Sequence, residues 1–584
     1  MVLNCKKCSQ SIINAVKKHP LMASVIINGI FTTIVLLSCD IRYDTNDDLV
    51  MAGIVQGAYG QPDAHTVFIN ILLGYALSGL SRIFPAIPWY PVFMYACLIS
   101  SSIIIGYLIL KKTVNNLIPI SLYLIFLFVF ESNLFISPQF TKTAAIMACT
   151  GVFLAIDSIS SGKINWGKYI GAVLFMLIGM MYRSDMAFLS AAVSMTYLLY
   201  HVTKDKFEIK KAILSIAPVI AGLIFGAVLS FAGNKIYTSD TNWAEFEVFQ
   251  NDRSTLFDYY FFDYGLFSDI CDANGLSEEN VHHYISTNDF ADPDIFTMKA
   301  AHELAEARRN MQVFDKFPLE SFVEKVMPIG MIKKYDWFKM SIAIAILLIL
   351  LDKRQLIWTV INMLGVTAIE AWLFWNLRFM IERVDISIVF TAVLSSLLIG
   401  ADYAEKAPEI KANTDKGRMQ LGYSVTTTVL VCVVLGVSVA HFANEVSENY
   451  QESVKRAESM SEAEEICTMI ENDKEHLYVR SILCDNPWEC AYSIWANPES
   501  TFVDNVLLLG GWMTYSPITD RIKDNYGVSN PYRDIVNNDK VLLLSISANP
   551  QGTVDYINRN YGYNAELELV DEIGKAEIYR IVTK

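Results

Sequence analysis

The chain has 584 residues, of which 53% are apolar and 18% charged, with a formal net charge of −15. That charged share is well under the roughly one quarter of soluble domains, and the acidic balance argues against a nucleic-acid partner. Runs near 20 apolar residues recur through the first 441 positions, which makes the chain an α-helical polytopic membrane protein.

In chain order the first apolar run is Leu21–Ser38, preceded by Lys17 and Lys18. It ends "LLSC" at Cys39, a lipoprotein-like cleavage pattern, but the many runs that follow make it an uncleaved first span. Cys5 and Cys8 form a lone CxxC, too few ligands for a zinc site. "RYDTNDDLV" follows at 42–50, with Asp44, Asp47 and Asp48 within five positions. Thr45 or Asn46 caps a helix here and Asp47 and Asp48 sit in its first turn, where acid suits the helix dipole. One cap needs one side chain, so the cap leaves the third acid unexplained. Close carboxylates also repel, which raises one pKa and makes a better proton acceptor, while the helix-start amides favour the charged form, so the sequence leaves the net direction open.

The stretch Thr66–Phe84 is apolar but carries Asn70, Ser78, Ser81 and Arg82, and reads as a juxtamembrane helix at the interface rather than a span. Further spans are expected at 91–110, 117–131, 143–157, 169–182, 186–201, 212–232, 338–351, 355–375, 384–400 and 420–441, eleven in all with the first. One set of alternate loops carries eighteen Lys and Arg, including Lys111, Lys112, Lys353 and Arg354. The short opposite loops carry only Arg42, Arg82, Lys142, Arg183, Arg378 and Arg383. By the positive-inside rule the N-terminus is cytoplasmic and the aspartates face out.

On that outer side, "MYRSDMAF" places Arg183 and Asp185 at the end of a span with only about 14 apolar residues, roughly 21 Å of helix. Arg183 is therefore drawn toward the bilayer, where polar groups are functional candidates. Arg378 and Arg383 flank the outer ends of the ninth and tenth spans, and guanidinium groups hold phosphate bidentately. The competing reading pairs Arg183 with Asp185, and Arg383 with Glu382 or Asp385, as boundary anchors. The loop 233–337 is far longer than an ordinary connection. It contains "WAEFEVFQNDRSTLFDYYFFDYG", where Asp252, Arg253 and Asp258 are candidates for contact with sugar hydroxyls, while most of the aromatics suit the interface. "SPQFTKTAA" at 137–145 is another outward loop that lines the same cavity in this reading. His282 and His283 read as surface residues, and Glu370 is the clearest charge inside a span.

The tail 442–584 opens with an acidic helix and then alternates strand-like runs with a helical one, which predicts a small extracytoplasmic α/β domain after the membrane domain 1–441. Cys484 and Cys490 are spaced to allow a disulfide, though spacing does not establish one. None of its strands is followed by G-x-G-x-x-G, so no nucleotide site is expected.

"NDD" ahead of 49–60, then "TVFINILLGYALSGLSRIFPAIPWYP" leading into a span that ends in "KK", resembles the first outer loop of the GT-C superfamily of polytopic membrane glycosyltransferases. The eleven-span layout and the C-terminal domain are similar too. The resemblance implies transfer of a sugar from a polyprenyl-phosphate-linked donor to an extracytoplasmic glycan, lipid or protein acceptor. It implies Asp47 as general base, Asp48 as its partner or a metal contact, and Asp44 as the fallback for either. Arg183, Arg378 and Arg383 would grip the donor phosphate, and Asp185 with the loop residues would meet substrate. A divalent metal is left open, since dependence varies in the superfamily. Two other readings stand beside it: a lipid-linked polysaccharide polymerase on the same face, and a non-catalytic transporter or assembly protein. A transporter would show internal repeats and paired polar residues mid-helix.

Overall fold

The computed structural model describes residues 2–159, 163–204, 208–258, 263–311, 328–376, 381–406, 415–496 and 503–584. Among these, nine helices are long and apolar enough to cross a membrane, from Pro20–Ser38 to the apolar half of Thr426–Asn472. Two more of the eleven expected spans are present as shorter helices, Trp166–Tyr182 with 17 residues and Asp336–Leu351 with 16. At 1.5 Å per residue they reach about 25 Å, just short of a typical hydrocarbon core. The span Phe140–Asp157 is buried along its whole length and packs between Trp166–Tyr182 and Ser184–Lys204. Small residues allow that closeness: a Cβ at Gly179 would lie 2.9 Å from the Ala144 carbonyl.

The stretch 66–84 contains a 13-residue helix, Ile71–Ile83, about 20 Å long and too short to span. Asn70 caps it by accepting from the Leu72 amide, and the Asn70 amide donates to the Met181 carbonyl at 2.8 Å. Asn70 Nδ2 donates to the Leu229 carbonyl at 3.2 Å, so one residue ties this helix to two spans. Gly74 permits the approach of the preceding loop, because a Cβ there would meet the Ala64 carbonyl oxygen at 2.0 Å.

The helix Asp415–Asn472 runs unbroken for 58 residues from the last span into the C-terminal domain. That domain holds a five-stranded sheet of order β2-β1-β3-β5-β4, comprising β1 Leu477–Arg480, β2 Val506–Leu508, β3 Val541–Ile546, β4 Ala565–Ile573 and β5 Ala576–Thr583. β1 pairs parallel with β2 and β3, while β5 runs antiparallel to β3 and β4. β1 and β3 are buried at every position, as expected of strands covered on both faces. The α/β expectation is met.

The described parts of the long loop 233–337 fold into helices, among them Thr241–Phe257, Glu278–Thr287 and Met298–Asn310, and the first two contact the C-terminal domain. Asp292 is fully buried there, accepting from Tyr556, Tyr561 and Asn530 at 2.7–3.0 Å. The C-terminal domain also meets the segment that follows the first span. The Val503 amide donates to the Ala58 carbonyl at 3.0 Å, and Arg521 Nη2 donates to the Tyr59 carbonyl at 3.0 Å. Cys484 and Cys490 are free thiols directed at the Leu544 and Arg456 carbonyls respectively, so the disulfide considered from their spacing is absent.

Candidate active site

The helix Asn46–Gln56 begins after Thr45, whose backbone is extended but whose side chain makes no capping bond to the backbone. Its hydroxyl instead lies 3.4 Å from Asp48 Oδ2. The three acids then part company. Asp48 is completely buried. Its Oδ1 accepts from the Tyr90 hydroxyl at 2.7 Å and from the Phe140 amide at 3.2 Å, which pins the helix to two spans. Burial pushes its pKa up to about 8, against the Tyr90 bond that lowers it, so it holds a proton at neutral pH. Asp44 faces Lys142, whose ammonium lies 3.2 Å away and also donates to Asn133 and the Ser137 carbonyl. Lys142 itself is only 2% exposed.

Asp47 alone of the three keeps a wet face without a close cation: it is 16% exposed, and its nearest cationic neighbour is Arg383 at 3.9 Å. Burial raises its pKa above the usual carboxylate value. Arg383 opposes that rise, Asp258 adds to it, and Arg253 and Arg183 oppose it again. Four of the residues singled out in the sequence therefore act electrostatically on one carboxylate. Arg383 does not pair with its neighbours on the helix Glu382–Glu405, because Glu382 accepts from Trp337 and Asp385 from Tyr335, each at 3.2 Å. Its Nε is buried and has no hydrogen-bond partner. The boundary-anchor reading thus fails for Arg383.

For Arg183 the anchor reading holds in part. Its Nε donates to Asp185 at 3.0 Å, while Nη1 donates to Thr141 at 2.8 Å. Arg183 also borders a polar cavity of about 450 Å³ between the spans and the helix Thr241–Phe257, lined by Asn234, Glu247, Gln250 and Ser254 among others. Arg253 is buried and grips Asp258 bidentately at 2.6 and 2.8 Å. Asp252 turns away, accepting from His302 at 2.8 Å and Arg309 at 2.6 Å. On a helix, successive side chains point about 100° apart, so neighbours in sequence serve different faces. Arg378 lies outside the described residues. Among the described residues no group of three His, Cys, Asp or Glu side chains could hold a metal ion.

Two residues that hold the acids carry no site signal in the sequence reading, Lys142 and Tyr90. Lys142 sits in "SPQFTKTAA", already marked as an outward loop. Tyr90 gave no signal beyond its place at a span's start. Glu131 is fully buried in a π-helical turn, Leu127–Glu131, with Tyr123 Oη 3.5 Å from its carboxylate. Single-turn π segments recur at functional sites, and a composition count missed this charge because its neighbours are apolar.

No family model matches the chain, and no curated protein matches it. The solved structure titled ArnT from Cupriavidus metallidurans bound to undecaprenyl phosphate is similar over 96% of this chain and 97% of its own, at 10% identity and a TM-score of 0.38. A likeness of that depth says nothing of residue roles, and those given below rest on the distances above.

Proposed function

We propose that the chain is a membrane glycosyltransferase that moves a sugar from a polyprenyl-phosphate-linked donor to an acceptor outside the cytoplasm, with Asp47 as general base. The observation that carries this reading is the pairing of a half-open carboxylate with an arginine whose buried Nε is unpartnered. A phosphate oxygen would supply the missing acceptor and draw the electrophilic sugar carbon to the carboxylate. Asp47 with its raised pKa can take a proton from an acceptor hydroxyl near neutral pH.

The lipid part of such a donor has a place. The helix Glu382–Glu405 starts beside Asp47 and continues as one wall of an apolar groove lined by Val389, Ala392 and Val393, with Ile344 and Leu348 opposite. A phosphate held by Arg383 would therefore leave its lipid chain running toward this apolar groove along the same helix. The polar cavity beside Arg183, rich in amide and hydroxyl groups, suits the acceptor. Asp48 is a positioning residue in this scheme, since its carboxyl is protonated and enclosed, and Asp44 is neutralised by Lys142. The orientation follows the sequence reading, with the N-terminus cytoplasmic and the C-terminal domain outside.

The test is sugar incorporation from a polyprenyl-phosphate-linked donor by purified protein in lipid nanodiscs. Asp47→Asn should lose about 10²–10⁴-fold in rate, the usual share of a general base, while Asp48→Asn keeps most of it. Equal activity of Asp47→Asn and the parent protein would remove the base.

A further inference from the structure

The C-terminal domain contains a second site that the transfer reaction does not use. β1 is flanked by parallel partners on both sides, and the chain leaves the carboxyl ends of β1 and β3 in opposite directions, toward β2 from the one and toward β5 and β4 from the other. In open α/β sheets this divergence opens a crevice at the strand ends, where ligands bind. A cavity of about 230 Å³ lies there. Ser481 and Cys484 line it from the loop after β1, and Asn549, Gly552 and Thr553 from the loop after β3 and the start of the helix Gln551–Tyr561.

The outer loop closes the crevice. Asp289 is buried and accepts from the Ile482 amide at 2.9 Å, and His283 leans on Tyr556 with ring centroids 4.7 Å apart. The Nε2 of His283 is buried without a hydrogen-bond partner. Leu483, Leu543, Leu544, Ala548 and Pro550 also line the cavity, so apolar surface stands beside these polar groups. An apolar wall opposed by a small set of convergent polar groups is the usual make-up of a small-molecule site.

The ligand class follows from charge and size. Burial pushes the Asp289 carboxyl up to about 6 and the His283 imidazole down to about 4, so at neutral pH the cavity offers a carboxylate and a neutral ring. Arg559, close enough to depress His283, acts from behind Tyr556, over whose ring it sits at 5.5 Å. Arg480 also acts on Asp289 but does not line the cavity, its Nη1 donating to the Cys484 and Asp485 carbonyls, so an anion in the cavity would meet the carboxylate first. The volume is below the roughly 300–1,000 Å³ of sites for drug-sized ligands, which leaves no room for a nucleotide.

We propose that this crevice binds one neutral sugar residue, its C–H face on the leucines and its hydroxyls on Asp289 and His283. The site shares no residue with the Asp47 cluster and stands whether or not Asp47 is a base.

Saturation-transfer NMR on the full-length protein in nanodiscs tests this with glucose, galactose, mannose, N-acetylglucosamine, arabinose, rhamnose and inorganic phosphate. At least one sugar should bind the parent protein, and Asp47→Asn should leave that binding intact. Gly552 lines the cavity and a Cβ there meets nothing within 4 Å, so Gly552→Leu adds bulk at the cavity's edge. It should weaken binding at least about tenfold, or by 1.4 kcal/mol, with an unchanged melting temperature. His283→Phe keeps the stack on Tyr556, removes Nε2, and should weaken binding likewise. The proposal is overturned if no sugar binds, if phosphate alone binds, if both cavity variants bind as the parent does, or if Asp47→Asn abolishes the binding.

Discussion

The two ends of the span Trp89–Leu110 handle charge in opposite ways. At its lysine end, Lys112 lies 2.5 Å from Asp402 and 3.3 Å from Glu405, and Asp402 also accepts from Tyr197 at 3.2 Å. Beside them Asp157 is bridged by Lys111 and, at 2.7 Å, by Lys168. Each of these carboxylates has a cation at contact distance, and the effect is to clamp several helices together. At the Tyr90 end, Asp48 is buried and protonated, while Asp47 and Arg383 stand 3.9 Å apart with donor capacity left over. Charges held against opposite charges stabilise a fold; a cation with a donor left over is a place for something else to bind. Both ends are rich in charge, and only the partners tell them apart.

The sharpest way to break this contrast is to neutralise one acid at each end. Asp47→Asn should cut transfer by about three orders of magnitude and leave the melting temperature within a degree or so. Asp402→Asn should do the reverse and destabilise the fold. The loss should be about 1–3 kcal/mol, under the 3–5 typical of a broken buried pair, because Glu405 still faces Lys112. Thermal unfolding and transfer rates measured on both variants decide it, and matching profiles would erase the distinction.

Arg383→Lys comes next. It keeps the positive charge but loses the planar fork, so donor KM should rise about tenfold, the size of one charge-assisted bond, with less change in kcat. A KM equal to that of the parent protein would place the phosphate elsewhere.

The smallest effect concerns Asp48. Asp48→Ala strands the Tyr90 hydroxyl and the Phe140 amide and should cost about 1–3 kcal/mol, whereas Asp48→Asn still accepts from both and should cost little near neutral pH. The pH profile supplies the sign. The folded-state pKa, about 8, lies above the ordinary 3.8, so the native state holds a proton that the unfolded chain has lost. Stability from this group is therefore fully present below pH 4 and is lost as pH rises from 4 to 8, then levels off. Asp48→Asn should flatten that part of the stability curve, and an unchanged slope would contradict the assignment.

Much of this was legible beforehand. Apolar run length gave the helices, and the polar residues within 66–84 pointed to an interfacial helix rather than a span, which the 13 residues of Ile71–Ile83 bear out. Alternation of strand-like runs gave the C-terminal α/β domain. Sparse outward arginines pointed to Arg183 and Arg383, because a charge near lipid is costly and needs a reason. What could not be read was which of three adjacent acids stays wet, since that depends on Tyr90 and Phe140, 42 and 92 positions away. Asp252 was chosen along with Arg253, yet adjacent helical positions face different partners. Lys142 was counted only as a loop charge, and its burial against Asp44 is a matter of tertiary packing. The spacing of Cys484 and Cys490 suggested a bond that the structure lacks, because each sulfur lies against a different carbonyl.

The 58-residue helix from the last span into the C-terminal domain carries a mechanical consequence. A continuous helix has no soft joint, and Asp40 fastens it to the first loop through Asn449 at 2.8 Å and Arg456 at 2.9 Å. The soluble domain is therefore mounted as if on a mast, and whatever load it takes up is passed straight down to the membrane floor, next to the loop that bears Asp47.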